Sequence, residues 1–216
     1  MSLREIHDRG FERINGYSDA VVAIAVTLLV LPLTTIEAGR YDGDVRELFR
    51  ANFNSFLSFL VSFVLISALW IFHHRFIRVV DRYDDLFVLF NSLWLLTIVF
   101  LPFPTYVMGS ESTVTGSEML LYYGTITASS LCLSVMRSYA HRRGFTMTGE
   151  GVARATRRAR IQGWVSTAML ALIFLVLLTG SGILRGPESL LLGCVPLLLL
   201  LFSGPVAAMI IKVRPE

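Results

Sequence analysis

Charge is the scarce commodity in this 216-residue chain. Only 16% of its residues are Asp, Glu, Lys or Arg, against 54% hydrophobic. A soluble domain averages about 25% charged residues, so a water-covered exterior is excluded, and the mean hydropathy of +0.64 agrees. Cysteine is nearly absent. Cys132 and Cys194 both lie inside apolar runs, which argues against a disulfide framework or a zinc site. Lysine is represented by Lys212 alone beside 18 arginines, a bias that suggests a GC-rich bacterial genome. No P-loop, dinucleotide fingerprint, HExxH or GxSxG is present, and no internal duplication is visible. The first apolar stretch ends at Pro32 and a polar loop, without a small-residue cleavage site, so a retained span is expected rather than a signal peptide.

What the chain does have is long apolar runs. A bilayer core of roughly 30 Å requires about 20 apolar residues per helix. Six runs meet this, at about 14–33, 53–74, 86–108, 119–139, 164–180 and 190–211. The expected fold is an all-α integral membrane protein, a single six-helix unit over 1–216. Basic residues set its orientation. Fifteen of the 19 fall on the side of the N-terminus, leaving Arg40, Arg46, Arg50 and Arg185 on the other. The positive-inside rule then puts both termini in the cytoplasm. The basic run HRRGFTMTGEGVARATRRAR (141–160) joins spans four and five, where arginine anchors topology and meets anionic lipid; nucleic acid is not expected as a partner.

Polar residues inside spans are expensive and are therefore functional candidates. Asp19 lies more than one turn into span one, His73 and His74 end span two, and Asn91 lies early in span three. The topology brings all four to one level. We expect a buried polar layer of Ser18, Asp19, Asn91 and one histidine, with Arg13 just below, pinning span one against spans two and three. Adjacent histidines point about 100° apart on a helix, so both cannot serve one centre. A pH-sensitive element and a metal or proton-relay site remain alternatives to a structural cluster.

Span one carries a second pattern. Ile24, Thr27, Leu28 and Leu31 follow the spacing i, i+3, i+4, i+7, one helix face. Ordinary packing explains such a stripe for most membrane helices. Here Ala20, Ala23 and Ala25 are available for close helix contacts, which frees the bulky face to point elsewhere. Around a symmetry axis, Ile24, Leu28 and Leu31 would stack as apolar rings able to gate by dewetting, and Thr27 would add hydroxyls that replace part of an ion's hydration.

The segment RINGYSDAVVAIAVTLLVL resembles the R-x-x-x-F-S-D signature of the transmembrane protein 175 family, and WIFHHRF (70–76) and NSLWLLTIVFLPFPT (91–105) are similar to that family's second and third spans. The likeness is close over about residues 10–106. It implies a potassium channel without the re-entrant filter of ordinary potassium channels, a homotetramer in single-repeat prokaryotic members, located in the bacterial plasma membrane. It also implies that Ile24, Leu28 and Leu31 form the constriction and Thr27 the selectivity layer. Arg13, Ser18 and Asp19 belong to the signature, with Trp70, His73 and Asn91 as their partners. Potassium would be the permeant species, with no cofactor, no metal and no bond chemistry. Two departures stand out. Tyr17 replaces the usual Phe and adds a hydroxyl. Pro32 cannot donate to the carbonyl of Leu28, so that carbonyl turns toward an ion or the helix ends there. The expectation from another class is a proton-coupled secondary transporter using Asp19 and His73, against which the chain shows no inverted repeat or glycine-broken helix pair.

Overall fold

The computed structural model describes residues 3–41, 44–110 and 116–180, so the expected span at 190–211 lies outside the described residues. Among the described residues the chain is helical apart from turns and one isolated bridge between Val80 and Thr146. In chain order the helices are α1 (Leu3–Leu28), α2 (Leu31–Thr34), α3 (Val45–Ala51), α4 (Phe53–Ile77), α5 (Asp85–Phe100), α6 (Pro102–Ser110), α7 (Gly116–Arg142) and α8 (Glu150–Gly180). Among the described residues five stretches are long and apolar enough to cross a bilayer: 10–34, 53–77, 85–110, 116–142 and 151–179.

The elements differ from the sequence-based boundaries where proline and arginine act. The expected span three is two helices, because Pro102 and Pro104 remove the backbone donors that would continue α5 past Leu101. The expected span one also breaks. After Leu28 the backbone tightens, with Leu29 N donating to Val26 O and Val30 N to Thr27 O, both at 3.3 Å. Pro32 then sits in the first turn of α2, where a missing N–H costs nothing. Of the two fates open to the Leu28 carbonyl, the helix end is the one observed. The run expected to link spans four and five is itself half helix. α8 begins at Glu150, and its 31 residues exceed a bilayer's thickness by several turns.

α7 packs against α5 and α8, α4 against α6, and α1 across α4 and α5. Without a hydrophobic driving force between helices in lipid, close approach depends on small residues and hydroxyl bridges. At the α4–α6 contact, Ser55 donates to the Gly109 carbonyl at 2.8 Å. At the α7–α8 contact, Thr167 bridges Ser130 at 2.8 Å and Ser134 at 3.1 Å, beside Gly163. The two connectors at the arginine-rich end are tied together. Met147 N donates to Val79 O and Asp81 N to Phe145 O, each at 2.9 Å. Asp84 caps α5 by accepting from Phe87 N at 2.9 Å and also accepts from the Tyr139 hydroxyl at 2.5 Å.

Two outcomes follow from this packing. A Cβ on Gly109 would lie 3.0 Å from the Ser55 backbone, which cannot rotate away. Gly109→Leu should therefore wedge α6 from α4 and cost roughly 1–3 kcal/mol, read as a lowered midpoint in thermal unfolding of the detergent-solubilised protein. The Tyr139 hydrogen bond holds the Asp84 carboxyl below the ordinary carboxylate range. A depressed folded value stabilises above the ordinary range and is lost as pH falls through the lowered value. Hydrogen exchange at the Met147 amide, corrected for intrinsic rate, should accelerate below about pH 4 and at higher pH in Tyr139→Phe than in the parent.

Candidate functional site

α1 divides lengthwise into two faces. Ser18, Val22, Ala25 and Leu29 are buried against α4 and α5. Tyr17, Ala20, Ala23, Ile24, Thr27 and Leu28 are exposed on the single chain, as is Leu31 beyond the break. The alanine expectation needs correction: only Ala25 makes the close helix contact, while Ala20 and Ala23 share the open face with Ile24.

The buried face is fastened by a hydrogen-bond chain with a fixed direction. The Ser18 hydroxyl donates to Ile14 O at 2.9 Å, so its oxygen is free to accept from Asn91 Nδ2 at 2.8 Å. Asn91 Oδ1 then faces His73 Nε2 at 2.8 Å. An amide oxygen only accepts, so Nε2 carries a proton and donates. His73 is fully buried and lies parallel to the Trp94 ring, with centroids 4.0 Å apart and 2° between planes. Asp19, the next residue on α1, takes a separate partner: Trp70 Nε1 donates to its Oδ1 at 2.8 Å. Adjacent positions on α1 thus grip two helices, Ser18 reaching α5 and Asp19 reaching α4. The histidine that joins the chain is His73, whereas His74 lies beside Trp70 with ring centroids 5.2 Å apart. Arg13 is exposed and, among the described residues, makes no hydrogen bond to this group.

Asp19 and His73 are not hydrogen-bonded to each other, and the chain ends on a backbone carbonyl. Its chemistry is that of a clasp that holds α1 in one rotational setting, with His73 Nδ1 left without a partner among the described residues. On the open face the Thr27 hydroxyl donates to the Ile24 carbonyl at 2.8 Å. Its oxygen keeps acceptor capacity on the exposed side of the chain. Among the described residues no cluster of three or more His, Cys, Asp or Glu side chains is placed to hold a metal.

Sequence reasoning missed a second buried polar knot, where Thr105 donates to Ser62 Oγ at 2.8 Å and Ser62 meets the Tyr122 hydroxyl at 3.2 Å. The i, i+4 pair Ser58 and Ser62 on α4 was the available signal. It also counted Arg137 among the arginines outside the membrane, and the structure buries that side chain inside the bundle.

The fold and this clasp define a polytopic helical membrane protein whose first helix presents a free, partly small-residue face. Comparison with known proteins narrows the class. Residues 13–102, just over two fifths of the chain, match the family described as "Endosomal/lysosomal potassium channel TMEM175". "Potassium channel Cha6605_3372" of Chamaesiphon minutus is 34% identical over 135 residues, covering 59% of this chain and 64% of that protein. "Potassium channel B446_29190" of Streptomyces collinus is 28% identical over 153 residues, covering 69% and 74%. The human "Endosomal/lysosomal proton channel TMEM175" is 30% identical over 95 residues, covering 43% of this chain and 18% of that protein. The chain thus spans just under two thirds of the first of these relatives and about a fifth of the human one. The crystal structure of a lysosomal potassium-selective channel TMEM175 homolog from Chamaesiphon minutus shares the fold, with a TM-score of 0.62 at 23% identity over 90% of this chain and 98% of that one.

Asn91→Leu should strand the Ser18 and His73 groups in an apolar setting and destabilise the protein by about 1–3 kcal/mol. Trp70→Phe keeps the ring but removes the donor to Asp19. It should cost less than Asn91→Leu in the same thermal unfolding assay, since Asp19 is half-buried.

Proposed function

We propose that this protein is a potassium-preferring cation channel, assembled as a homotetramer with α1 from each subunit around a central pore. The observation that carries the reading is the contrast between exposed faces. The faces that α5 and α8 expose among the described residues carry large apolar groups, Leu86, Leu89, Leu93 and Leu96 on one and Leu172 and Leu175 on the other. The exposed face of α1 instead mixes Gly16, Ala20, Ala23 and Thr27 with Ile24 and Leu28. Small residues let helices converge on an axis, and the clasp fixes which face converges. The names of the bacterial relatives support potassium as the permeant ion. Those names are all of channels, and the separate partners of Asp19 and His73 leave a proton-coupled carrier without a relay.

In this reading Ile24 is 59% exposed on the isolated chain because its partners are the same residue in three other subunits. A ring of Ile24 side chains excludes water when narrow and conducts when α1 splays, with Leu28 and Leu31 continuing the apolar lining. Thr27 offers oxygen lone pairs, the hydroxyl proton being committed to Ile24 O. An ion that sheds water readily passes such a site at lower cost than one that holds it. In this reading the membrane is the bacterial plasma membrane and both termini lie in the cytoplasm, an orientation that the arginine asymmetry supports. No bond is made or broken.

The test is ion flux from liposomes containing the purified chain, with potassium, sodium and proton gradients imposed separately. Potassium flux exceeding sodium, and rising several-fold in Ile24→Asn, is the expected result. Unchanged flux in Ile24→Asn would remove α1 from the pore. Flux that saturates and requires the proton gradient would remove the channel.

A further inference from the structure

A cavity of about 290 Å³ opens between α4, α7 and the first half of α8, away from the α1 face. Its wall carries Arg75, Arg137, Arg160 and His141, and among the described residues no carboxylate lines it. Arg137 is the unusual member. It retains only 9% of its exposure, and it lies five residues before the end of α7, about 8 Å inside by helix rise. Its Nη2 donates to Phe72 O at 2.6 Å and its Nη1 to Ala159 O at 3.4 Å, and the guanidinium carbon sits 5.8 Å from the Phe76 ring centroid. Its Nε has no partner among the described residues. Carbonyls and a ring face soften the burial of a guanidinium without cancelling its charge, and a buried cation without an anion is costly. Deeper in, Leu69 and Leu133 line the wall together with the hydroxyls of Ser130, Ser134 and Ser166.

We infer that this cavity is a binding site for a phosphate-bearing anion, supplied by an anionic phospholipid of the leaflet that meets the arginine-rich helix ends. The phosphate would face Arg137, with Arg75 and Arg160 closing over it, and the first methylenes of the lipid would lie along Leu69 and Leu133. A basic pocket between helices at headgroup depth has the charge of such a headgroup site, and guanidinium forks match phosphate oxygens. Occupancy would join α4, α7 and α8 through one ligand. The site is independent of what crosses the membrane.

The experiment is lipid titration of the delipidated full-length chain, followed by native mass spectrometry. Phosphatidylglycerol and phosphatidylcholine are the probes, each with and without excess inorganic phosphate. Arg137→Gln removes the central charge. Arg75→Gln with Arg160→Gln removes the rim, where Arg75 is exposed and Arg160 half-buried, so folding is not at stake. Phosphatidylglycerol should bind the parent roughly tenfold or more tightly than phosphatidylcholine, and the rim double variant should lose most of that preference. Equal retention of the two lipids, or a preference unchanged in the rim variant, would overturn the site. Displacement of phosphatidylglycerol by inorganic phosphate would keep the anion site but overturn lipid as its source.

Discussion

The clasp between α1 and its neighbours governs the rest of this structure. In hydrocarbon no water satisfies a stray donor, so Ser18, Asn91, His73, Asp19 and Trp70 are held by one another or not at all. The bonds from His73 through Asn91 to Ser18 run in one direction and terminate on the Ile14 carbonyl, and Trp70 to Asp19 is a separate bond. A 100° rotation of α1 would break the bonds from Ser18 and Asp19 together, because adjacent residues reach different helices. The orientation of the open face is thus a consequence of polar groups that it does not contain.

That constraint needs a rigid frame, and small residues and hydroxyls supply it. Ser55 with Gly109 and Thr167 with Ser130 and Ser134 let α4, α6, α7 and α8 approach closely. The Asp84–Tyr139–Arg143 group joins the connectors at the arginine-rich end, where Arg143 Nε donates to the Tyr139 hydroxyl at 3.0 Å. Among the described residues α1 is the outlying helix, in contact on one side only. A helix so placed suits a moving or lining element, while the remaining helices suit a scaffold.

The arginines divide by environment rather than by sequence neighbourhood. Most sit at helix ends or in connectors, where they are hydrated and orient the chain. Arg137 carries the same charge into the bundle, and its two carbonyl partners come from α4 and α8. The cavity beside it carries Arg75, Arg160 and His141 on its wall among apolar and hydroxyl side chains.

Much of this was legible before any coordinates. Apolar run length marks the spans because a bilayer imposes a length. Asp19, Ser18 and Asn91 announced themselves as polar residues in hydrocarbon, and the i, i+3, i+4, i+7 stripe marked a face. Other features required the third dimension. Which of His73 and His74 enters the chain depends on α5's position, since the two rings point about 100° apart. Ala20 and Ala23 have the composition of contact residues, yet only Ala25 faces a helix, because the azimuth of α1 is set by its partners. The break at Leu28 and the early start of α8 at Glu150 come from backbone donors and helix continuation that hydropathy does not register. Arg137 looks like any flanking arginine in the sequence. Its burial was decided by the meeting of α4, α7 and α8, because a one-dimensional pattern records which residues are polar and only packing determines what each of them faces.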